Sequence, residues 1–434
     1  MRRYPSYKDS GVEWIGEIPS HWEETRLRYS GNLFGGLTGK SGDDFKQEDN
    51  PNNKPYIPYT NIFRNTYISK KHVDYVVIGD DENQNRVKKF DIFFLMSSET
   101  YQDLGKPCIL IEDVEELYLN SFCKGFRVNR EDVYPLFLNY QLLGDIHKEL
   151  ISIEGRGFTR INLRQDRLND TPILLPPLSE QTQIVSYLDR KTEGIDKLIQ
   201  TKVRKIELLK EYRTSLISKV VTKGLNPNVK MKDSGVEWIG EIPSHWVLSK
   251  VMYVLEFHNN IRVPLSSEER GERQGEYRYY GSTGIIDYID DYLFDGEYVL
   301  IGEDGSNLRL RTYRLSNVVT GKFWVNNHSH ILRSRGGNNH YYSHLLELTD
   351  FSNYITGSTQ PKLTMDNLKI VPMISPPLSE QIQIVSYLDE QTQLIDKNIQ
   401  TEERKIELLK EFRQSLISEV VTGKIKVSND EEVH

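Results

Sequence analysis

An internal duplication constrains this chain more than any other feature. Residues 8–22 read KDSGVEWIGEIPSHW, and residues 232–246 repeat all fifteen letters at an offset of 224. Residues 176–224 recur at 376–424 with 36 of 49 positions identical, at an offset of 200. Self-similarity on this scale sets the architecture before any local assignment. The sequence therefore predicts one structural frame that is used twice.

Two inserts lie between the repeated blocks and show little resemblance to each other, which predicts a constant frame around two variable domains. At about 150 residues per domain, the length is ample for this division. The predicted parts are an N-terminal repeat segment, 1–22; a first domain, 23–175; a first long spacer helix, 176–224; a linker with the second repeat segment, 225–246; a second domain, 247–375; a second long spacer helix, 376–424; and a tail, 425–434.

The repeated 49-residue blocks are predicted to be long helices. Ser179 follows two prolines and is the predicted N-cap, and Glu180 in the first turn suits the positive end of the helix dipole. Gly224 is predicted to end the first helix. A helix of about 43 residues within such a block, roughly 65 Å long at ~1.5 Å per residue, needs a packing partner.

Opposite charge favours pairing of the two helices with each other, and repeats related by a pseudo-twofold axis would pair antiparallel. Residues 180–224 carry ten basic and six acidic residues, a net +4, whereas 380–424 carry six and nine, a net −3. Two separate surface helices would instead leave two apolar stripes exposed. The apolar residues fall close to a heptad pattern, and the predicted seam is Ile184, Leu188, Ile195, Ile199, Ile206, Leu209, Leu216, Val220, Ile395, Ile399, Ile406, Leu409, Leu416 and Val420.

Each insert is predicted to be an α+β domain with a mixed, mostly antiparallel sheet. Short segments rich in β-branched and aromatic residues, bounded by Gly, Asn and Asp, are typical of strands; they include 75–78, 91–95, 297–301 and 322–325. The overall fold class is therefore α+β: two globular domains separated by a pair of long antiparallel coiled-coil helices, duplicated about a pseudo-twofold axis.

Composition excludes several classes of protein. Mean hydropathy is −0.56, and no apolar run approaches the ~20 residues of a membrane span. The N-terminal residues lack the apolar stretch of a secretory signal. Two cysteines, Cys108 and Cys123, are too few for a disulfide framework. We therefore expect a cytoplasmic protein.

The sequence does not contain a complete motif for phosphate binding or for methyl transfer. Gly36-Leu37-Thr38-Gly39-Lys40-Ser41 lacks the first glycine of a phosphate loop, because Phe34 stands in its place. The Asn-Pro-Pro-aromatic tetrapeptide of amino-methyltransferases is absent. A metal site at His328, His330, His340 and His344 is conceivable, but histidines at surface or hydrogen-bonding positions are commoner. We predict that the chain holds no metal and no catalytic residue.

Three motifs together resemble a known family. GVEWIGEIPSHW precedes each insert, Pro-Pro-Leu-Ser-Glu-Gln opens each long helix, and Gly-Ser-Thr-Gln-Pro-Lys-Leu stands at 357–363 near the exit of the second insert. This combination resembles the specificity (S) subunit of type I restriction-modification enzymes over essentially the whole chain. The first insert departs from the pattern, because 157–162 reads Gly-Phe-Thr-Arg-Ile-Asn without Gln-Pro-Lys.

The resemblance implies that each insert is a target-recognition domain reading one half of a bipartite asymmetric DNA site. The helix pair would set the gap between the halves. Implied partners are double-stranded DNA, two methylation (M) subunits and restriction/motor (R) subunits. The chain itself would be non-catalytic and would direct adenine methylation and DNA cleavage in defence against phage. S-adenosylmethionine, ATP and Mg would belong to the partner subunits.

Candidate DNA-binding residues follow from this resemblance and from the chemistry of base recognition. Arg suits guanine, Asn and Gln suit adenine, and Lys, Ser and Thr suit phosphates. Arg309 and Arg311 are predicted to project from one strand face. The predicted set is Arg156, Thr159, Arg160 and Asn162 in the first insert and Ser282, Thr283, Arg309, Arg311, Asn326, Asn327, His328, Ser358, Thr359, Gln360 and Lys362 in the second.

Two other functional classes stay open at this point. A coiled-coil scaffold carrying two protein-binding modules would explain the acidic net charge of −8 without any nucleic acid. A stand-alone methyltransferase or nuclease would need motifs that the sequence lacks. Exchange of one insert distinguishes a protein-binding scaffold from a DNA-binding protein. Only in the DNA-binding protein would one half of the recognised DNA sequence change while the other half stays.

Overall fold

The computed structural model describes residues 3–45, 50–157 and 160–427, and it forms two compact units. Unit 1 comprises Met1–Lys202 and Arg404–His434, and unit 2 comprises Val203–Glu403. Each unit thus contains one insert and a part of each long helix. The finer domain boundaries given above stay a prediction.

Unit 1 is an α+β unit built mainly from short strands. Its helices are α1 (Tyr59–Arg64), α2 (Pro135–Leu143), α3 (Asp145–Glu154), α4 (Gln165–Asn169) and the first part of α5 (Leu178–Lys223). Its strands are β1 (Tyr7–Asp9), β2 (Glu17–Pro19), β3 (Glu23–Arg26), β4 (Gly31–Gly35), β5 (Asn53–Ile57), β6 (Asp74–Val77), β7 (Ile92–Leu95), β8 (Ser97–Ser98), β9 (Pro107–Ile109), β10 (Tyr118–Leu119), β11 (Cys123–Val128), β12 (Ile161–Asn162) and β13 (Pro172–Leu175).

The core of the first insert forms on both faces of an antiparallel sheet with strand order β4-β11-β7-β9. Phe94 and Phe126 pack on one face, and Phe93, Cys108 and Cys123 pack on the other. Because β7 is buried on both faces, its sequence Ile-Phe-Phe-Leu is a continuous apolar run instead of an alternating one. Both cysteines are free and buried.

Unit 2 repeats the frame around a different sheet. Its helices are α6 (Val251–Val254), α7 (Ser267–Glu272), α8 (Asn307–Leu310), α9 (Asn339–Leu348), α10 (Met365–Ile370) and the first part of α11 (Leu378–Val421). Its strands are β14 (Met231–Asp233), β15 (Glu241–Pro243), β16 (Val247–Lys250), β17 (Leu255–Phe257), β18 (Gln274–Gly281), β19 (Gly284–Ile289), β20 (Phe294–Gly302), β21 (Ser316–Val325), β22 (Ser329–Ser334), β23 (Ile355–Thr356), β24 (Lys362–Leu363) and β25 (Pro372–Ser375).

The sheet of the second insert has the strand order β17-β22-β20-β21-β18-β19. All neighbours in it are antiparallel except β18 and β21. Phe294, Tyr298 and Phe323 form its aromatic core, with the rings of Phe294 and Phe323 stacked 5.4 Å apart. The prediction of α+β domains with mixed, mostly antiparallel sheets is therefore confirmed.

Within each unit the two long helices run antiparallel. In unit 2, Lys205 Nζ lies 2.9 Å from a Glu402 oxygen and Arg213 Nε lies 3.1 Å from an Asp396 oxygen, so residue numbers rise along α5 as they fall along α11. In unit 1 the pseudo-equivalent pair, Arg413 Nε and an Asp196 oxygen, is also 3.1 Å apart. The predicted antiparallel pairing is confirmed.

Every residue of the predicted seam is at least partly buried, and the seam itself stays a prediction. The buried members are Ile184, Leu188, Ile195, Ile206, Leu216, Val220, Ile395, Ile399, Leu416 and Val420, and the partly buried members are Ile199, Leu209, Ile406 and Leu409.

A glutamate at the start of each long helix joins that helix to the repeat segment of its unit. In unit 1 the Glu180 carboxylate accepts hydrogen bonds from Tyr4 Oη and, at 3.3 Å, from Trp22 Nε1. In unit 2 the Glu380 carboxylate accepts a hydrogen bond from Trp246 Nε1 at 2.9 Å and lies 2.7 Å from His245 Nε2. Both tryptophans are fully buried, so the repeated motifs form the same junction twice.

The prediction that Ser179 caps the first helix is wrong. Helix α5 begins at Leu178, and the carbonyl of Pro177 accepts from the backbone N–H groups of Glu180 and Gln181 at 2.8 and 3.0 Å. The second proline therefore starts the helix, and the buried Gln181 side chain donates to the Pro176 carbonyl. The repeated motif at 176–181 therefore connects the insert to the helix, and Ser179 does not cap the helix with its side chain.

A glycine in the left-handed backbone region, which other residues rarely adopt, ends each long helix. Gly224 follows α5 with φ 74°, as predicted, and its N–H donates to the Val220 carbonyl. Gly423 follows α11 with φ 73°, and a Cβ built there would lie 2.4 Å from Pro19 Cδ. The end of α11 is therefore packed closely against the first repeat segment. None of the helices within residues 3–45, 50–157 and 160–427 has the length and apolar composition of a membrane span.

Candidate nucleic-acid interface

Four sequence motifs of the second insert converge on one surface of unit 2. The exit loop at 357–362 is held against the loop at 302–305, because Gly305 N–H donates to the Pro361 carbonyl at 3.0 Å and Leu363 N–H donates to the Glu303 carbonyl at 2.8 Å. Gly357 has φ 81°, and a Cβ there would lie 2.3 Å from the Gln360 carbonyl oxygen. The tight turn leaves Ser358, Thr359 and Gln360 exposed to solvent.

The turn between β18 and β19 and the loop after β21 complete this surface. Ser329 Oγ donates to the Gly281 carbonyl at 3.0 Å, which places Ser282 and Thr283 beside the start of β22. Asn326 is mostly buried, and its Oδ1 accepts from the His328 N–H at 2.9 Å. The candidate residues of these motifs, which are far apart in sequence, therefore lie together.

Glu303 is the charged centre of the cluster. It is only 9% exposed, and its carboxylate accepts a hydrogen bond from Arg262 at 2.6 Å and lies 3.3 Å from Lys362 Nζ. Burial alone would raise the pKa of Glu303, but the Arg262 hydrogen bond and the neighbouring positive charges hold it below the ordinary value. The carboxylate therefore stays ionised and positions the Lys362 ammonium at the surface.

His328 and His330 have different environments. His328 is exposed, and its Nδ1 lies 2.8 Å from an Asp304 oxygen. His330 is fully buried, and its Nε2 lies 2.7 Å from the Leu363 carbonyl oxygen. Burial lowers the pKa of His330, so it acts as a neutral link that holds β24 against β22.

The prediction that Arg309 and Arg311 share a strand face is wrong. Residues 307–310 form the short helix α8, and Arg311 follows it with φ 51°. The Arg311 guanidinium donates to the carbonyls of Glu347 and Thr349 at 3.1 and 2.7 Å and packs over the Phe351 ring. Arg311 therefore fixes the end of α9. Arg309 is exposed and donates to the Gly357 carbonyl at 3.1 Å, which keeps it beside the exit loop.

The candidate residues of the first insert lie on a smaller surface of unit 1. Arg156 and Asn162 pair through two backbone hydrogen bonds of 3.1 and 2.9 Å, next to the two-stranded pairing of β12 with β8. The Arg160 guanidinium lies 5.2 Å from the ring centroid of the exposed Phe122. Phe158 and the predicted Thr159 lie outside the described residues.

Sequence reasoning missed three residues that organise these surfaces: Arg262, Glu303 and Phe122. Glu303 lies in the stretch Gly-Glu-Asp-Gly at 302–305, and an acidic residue is an unexpected choice for a candidate DNA-binding surface. Phe122 follows Asn120-Ser121 in a turn, and a large aromatic residue in a polar turn was the available signal. The arrangement offers amides and hydroxyls for base edges, and lysine and arginine for phosphates or guanine.

We expect Glu303→Gln to destabilise unit 2 by about 2 kcal/mol, because removing one partner of a buried ion pair costs up to ~3–5 kcal/mol and the amide keeps part of the hydrogen bonding. The pKa of Glu303 is lowered in the folded state. The ionised carboxylate therefore stabilises the unchanged chain fully above the pKa of the unfolded state, and this contribution is lost as the pH falls through the pKa of the folded state. The measurement is the thermal midpoint of the unchanged chain and of the variant at neutral pH and at an acidic pH below the ordinary glutamate pKa of about 4.3. Glu276→Gln, at an exposed position on β18, is the control, and equal midpoints for all three proteins at neutral pH would contradict the role of Glu303.

Comparison with known proteins agrees with this architecture. The family model described as type I restriction modification DNA specificity domain matches residues 19–208 and 243–411. The type I restriction enzyme MjaVIII specificity subunit of Methanocaldococcus jannaschii is 25% identical over 444 residues, covering 95% of each chain. The provisionally described specificity subunit S.HindORF215P of Haemophilus influenzae is 41% identical over 137 residues, which cover 31% of this chain and about a third, 34%, of that protein.

Solved structures show the same fold. A chain of a type I R-M system, solved for its complex assembly and conformational transition, has a TM-score of 0.70 at 18% identity and covers 94% of this chain and 99% of its own length. The HsdS subunit of Thermoanaerobacter tengcongensis has a TM-score of 0.53 at 18% identity, with coverage of 94% and 98%. Since the family model matches most of the sequence in two regions, the chain belongs to the type I restriction-modification DNA specificity family and carries two copies of its recognition domain.

Proposed function

We propose that this chain reads a bipartite, asymmetric DNA site, and that the insert of each unit reads one half. The observation that carries the proposal is the duplicated frame: identical repeat segments and matching helices hold two inserts of unlike sequence. Two different surfaces held by one repeated frame suit two different half-sites. In unit 2 the reading surface is the cluster around Glu303, without Arg311; in unit 1 it includes Arg156, Arg160 and Asn162.

Catalysis is assigned to partner subunits. In this proposal the chain is non-catalytic, methylation subunits transfer methyl groups to adenine, and restriction/motor subunits cleave the DNA. S-adenosylmethionine, ATP and Mg would be bound by those subunits.

The charge of the inserts supports a need for partners. The first insert has 20 basic and 24 acidic residues and the second has 13 and 15, so their net charges are −4 and −2. Nonspecific affinity for DNA comes mainly from neutralising phosphates, and neither insert can supply much of it. The lone chain should therefore bind DNA poorly, and tight binding should require the assembled complex.

A pair of exposed apolar residues recurs on the long helices and suits two copies of one partner. Leu408 and Phe412 lie one turn apart on α11 in unit 1, and Leu208 and Tyr212 lie at the matching positions of α5 in unit 2. All four side chains are 46% to 55% exposed. Apolar pairs at i and i+4 form a continuous patch on a helix, so we assign one methylation subunit to each pair.

We expect Leu408→Asp with Phe412→Asp to remove one of two methylation subunits, because charges in an apolar contact weaken binding by at least about tenfold. Leu208→Asp with Tyr212→Asp should remove the other one, and the four changes together should remove both. The measurement is the mass of the purified complex by native mass spectrometry. Tyr75→Asp, on an exposed aromatic of β6, is the control. Retention of two subunits by the four-fold variant would contradict this docking site.

Exchange of the first insert for that of another family member tests the DNA-reading function. We expect one half of the methylated motif to change and the other half to stay, and the reciprocal exchange of residues 247–375 should change the other half. The measurement is single-molecule sequencing of methylated adenines in cells that carry the partner subunits. A scaffold for protein-binding modules predicts an unchanged motif in both exchanges, and that result would contradict the proposal.

A further inference from the structure

An apolar side chain, Ile286, lies exposed beside the polar residues of the reading surface of unit 2. Ile286 on β19 is 48% exposed. A Cβ built on Gly281 would lie 3.1 Å from Ile286 Cγ2 and 3.5 Å from Asn326 Nδ2. Ile286 therefore lies beside Asn326 and covers Gly281, at the foot of the turn that carries Ser282 and Thr283.

A β-bulge places Ile286 at this position. Tyr279 pairs with Asp287 and Tyr280 pairs with Ile285, so Ile286 is the extra residue of the hairpin and has no partner on β18. Bulges redirect side chains and are over-represented beside functional sites. Gly281 suits this arrangement, because a Cβ there would lie in tight contact with the Ile286 side chain. The hairpin is therefore built to hold an isoleucine where burial in a core does not explain it.

The chemistry of the DNA major groove offers one matching group. The C5-methyl of thymine is the apolar group that base edges present there, and apolar side chains recognise it by contact. The neighbouring polar side chains, Asn326, Asn327 and Thr283, suit hydrogen bonds to base edges and not this methyl group.

We propose that Ile286 contacts the C5-methyl group of a thymine in the half-site read by unit 2, and is thus a specificity-determining residue. The inference rests on the proposed function. If that function is correct, the half-site contains at least one thymine, because its methylated adenine is paired with one.

Deoxyuridine tests the contact, because it differs from thymidine only by the missing methyl group. The experiment uses the full chain assembled with its methylation subunits and duplexes carrying the mapped site. Each thymine of the half-site assigned to unit 2 by insert exchange is replaced in turn by deoxyuridine, and relative affinity is measured by competition. We expect about a fourfold loss at one position, the value of burying one methyl group.

Variants separate methyl recognition from a structural role. Ile286→Ala should bind the thymine duplex about fourfold more weakly and should no longer distinguish deoxyuridine from thymine at that position. Ile286→Val should keep the discrimination. Ile285→Ala is the matched control, because Ile285 is the preceding residue, is 44% exposed and pairs with Tyr280; it should discriminate as the unchanged chain does.

The proposal is overturned if every deoxyuridine duplex binds as well as the thymine duplex, or if Ile286→Ala still distinguishes the two. Either result leaves the proposed function intact as long as the complex binds the mapped site in preference to unrelated DNA. Failure of the proposed function would instead be seen as the absence of any sequence preference by the assembled complex.

Discussion

Burial of the apolar seam between antiparallel helix segments is the interaction on which both units depend. Full burial of a leucine or isoleucine contributes about 1.5–3 kcal/mol, whereas a partly exposed ion pair such as that of Arg213 with Asp396 contributes about 0.2–1 kcal/mol. The seam therefore supplies most of the stability, and the ion pairs of Arg213 with Asp396 and of Arg413 with Asp196 fit the antiparallel register. Each unit contains a segment of both helices, so neither unit is complete without residues that are distant in sequence.

The junctions explain how one frame accepts two unlike inserts. Glu180 and Glu380 receive donors from the repeat segments, and Gln181 and Gln381 bond to backbone groups of the adjoining insert and of the preceding proline. These contacts use backbone atoms on the side of the insert, so they place few demands on its sequence. The inserts can differ in sheet order and in reading surface while the frame stays the same.

The sequence predicted the parts of the fold that repeat, because duplication and heptad spacing are visible in a single chain. The start of α5 was misjudged, since Ser179 is a common cap but the preceding proline carbonyl already begins the helix. Arg309 and Arg311 were assigned to a strand because alternation over four residues cannot be told from a single helical turn. The roles of Glu303 and Ile286 were not predicted, because they depend on long-range contacts and on a β-bulge that local patterns do not encode.

The central claim is that two unlike reading units in one duplicated frame recognise two separate half-sites. Mapping methylated adenines in the host genome by single-molecule sequencing, with the gene present and with it deleted, tests this most directly. We expect a gene-dependent motif made of two different short blocks separated by a gap of fixed length and undefined sequence. A contiguous motif, two identical blocks, or methylation that does not depend on the gene would contradict it.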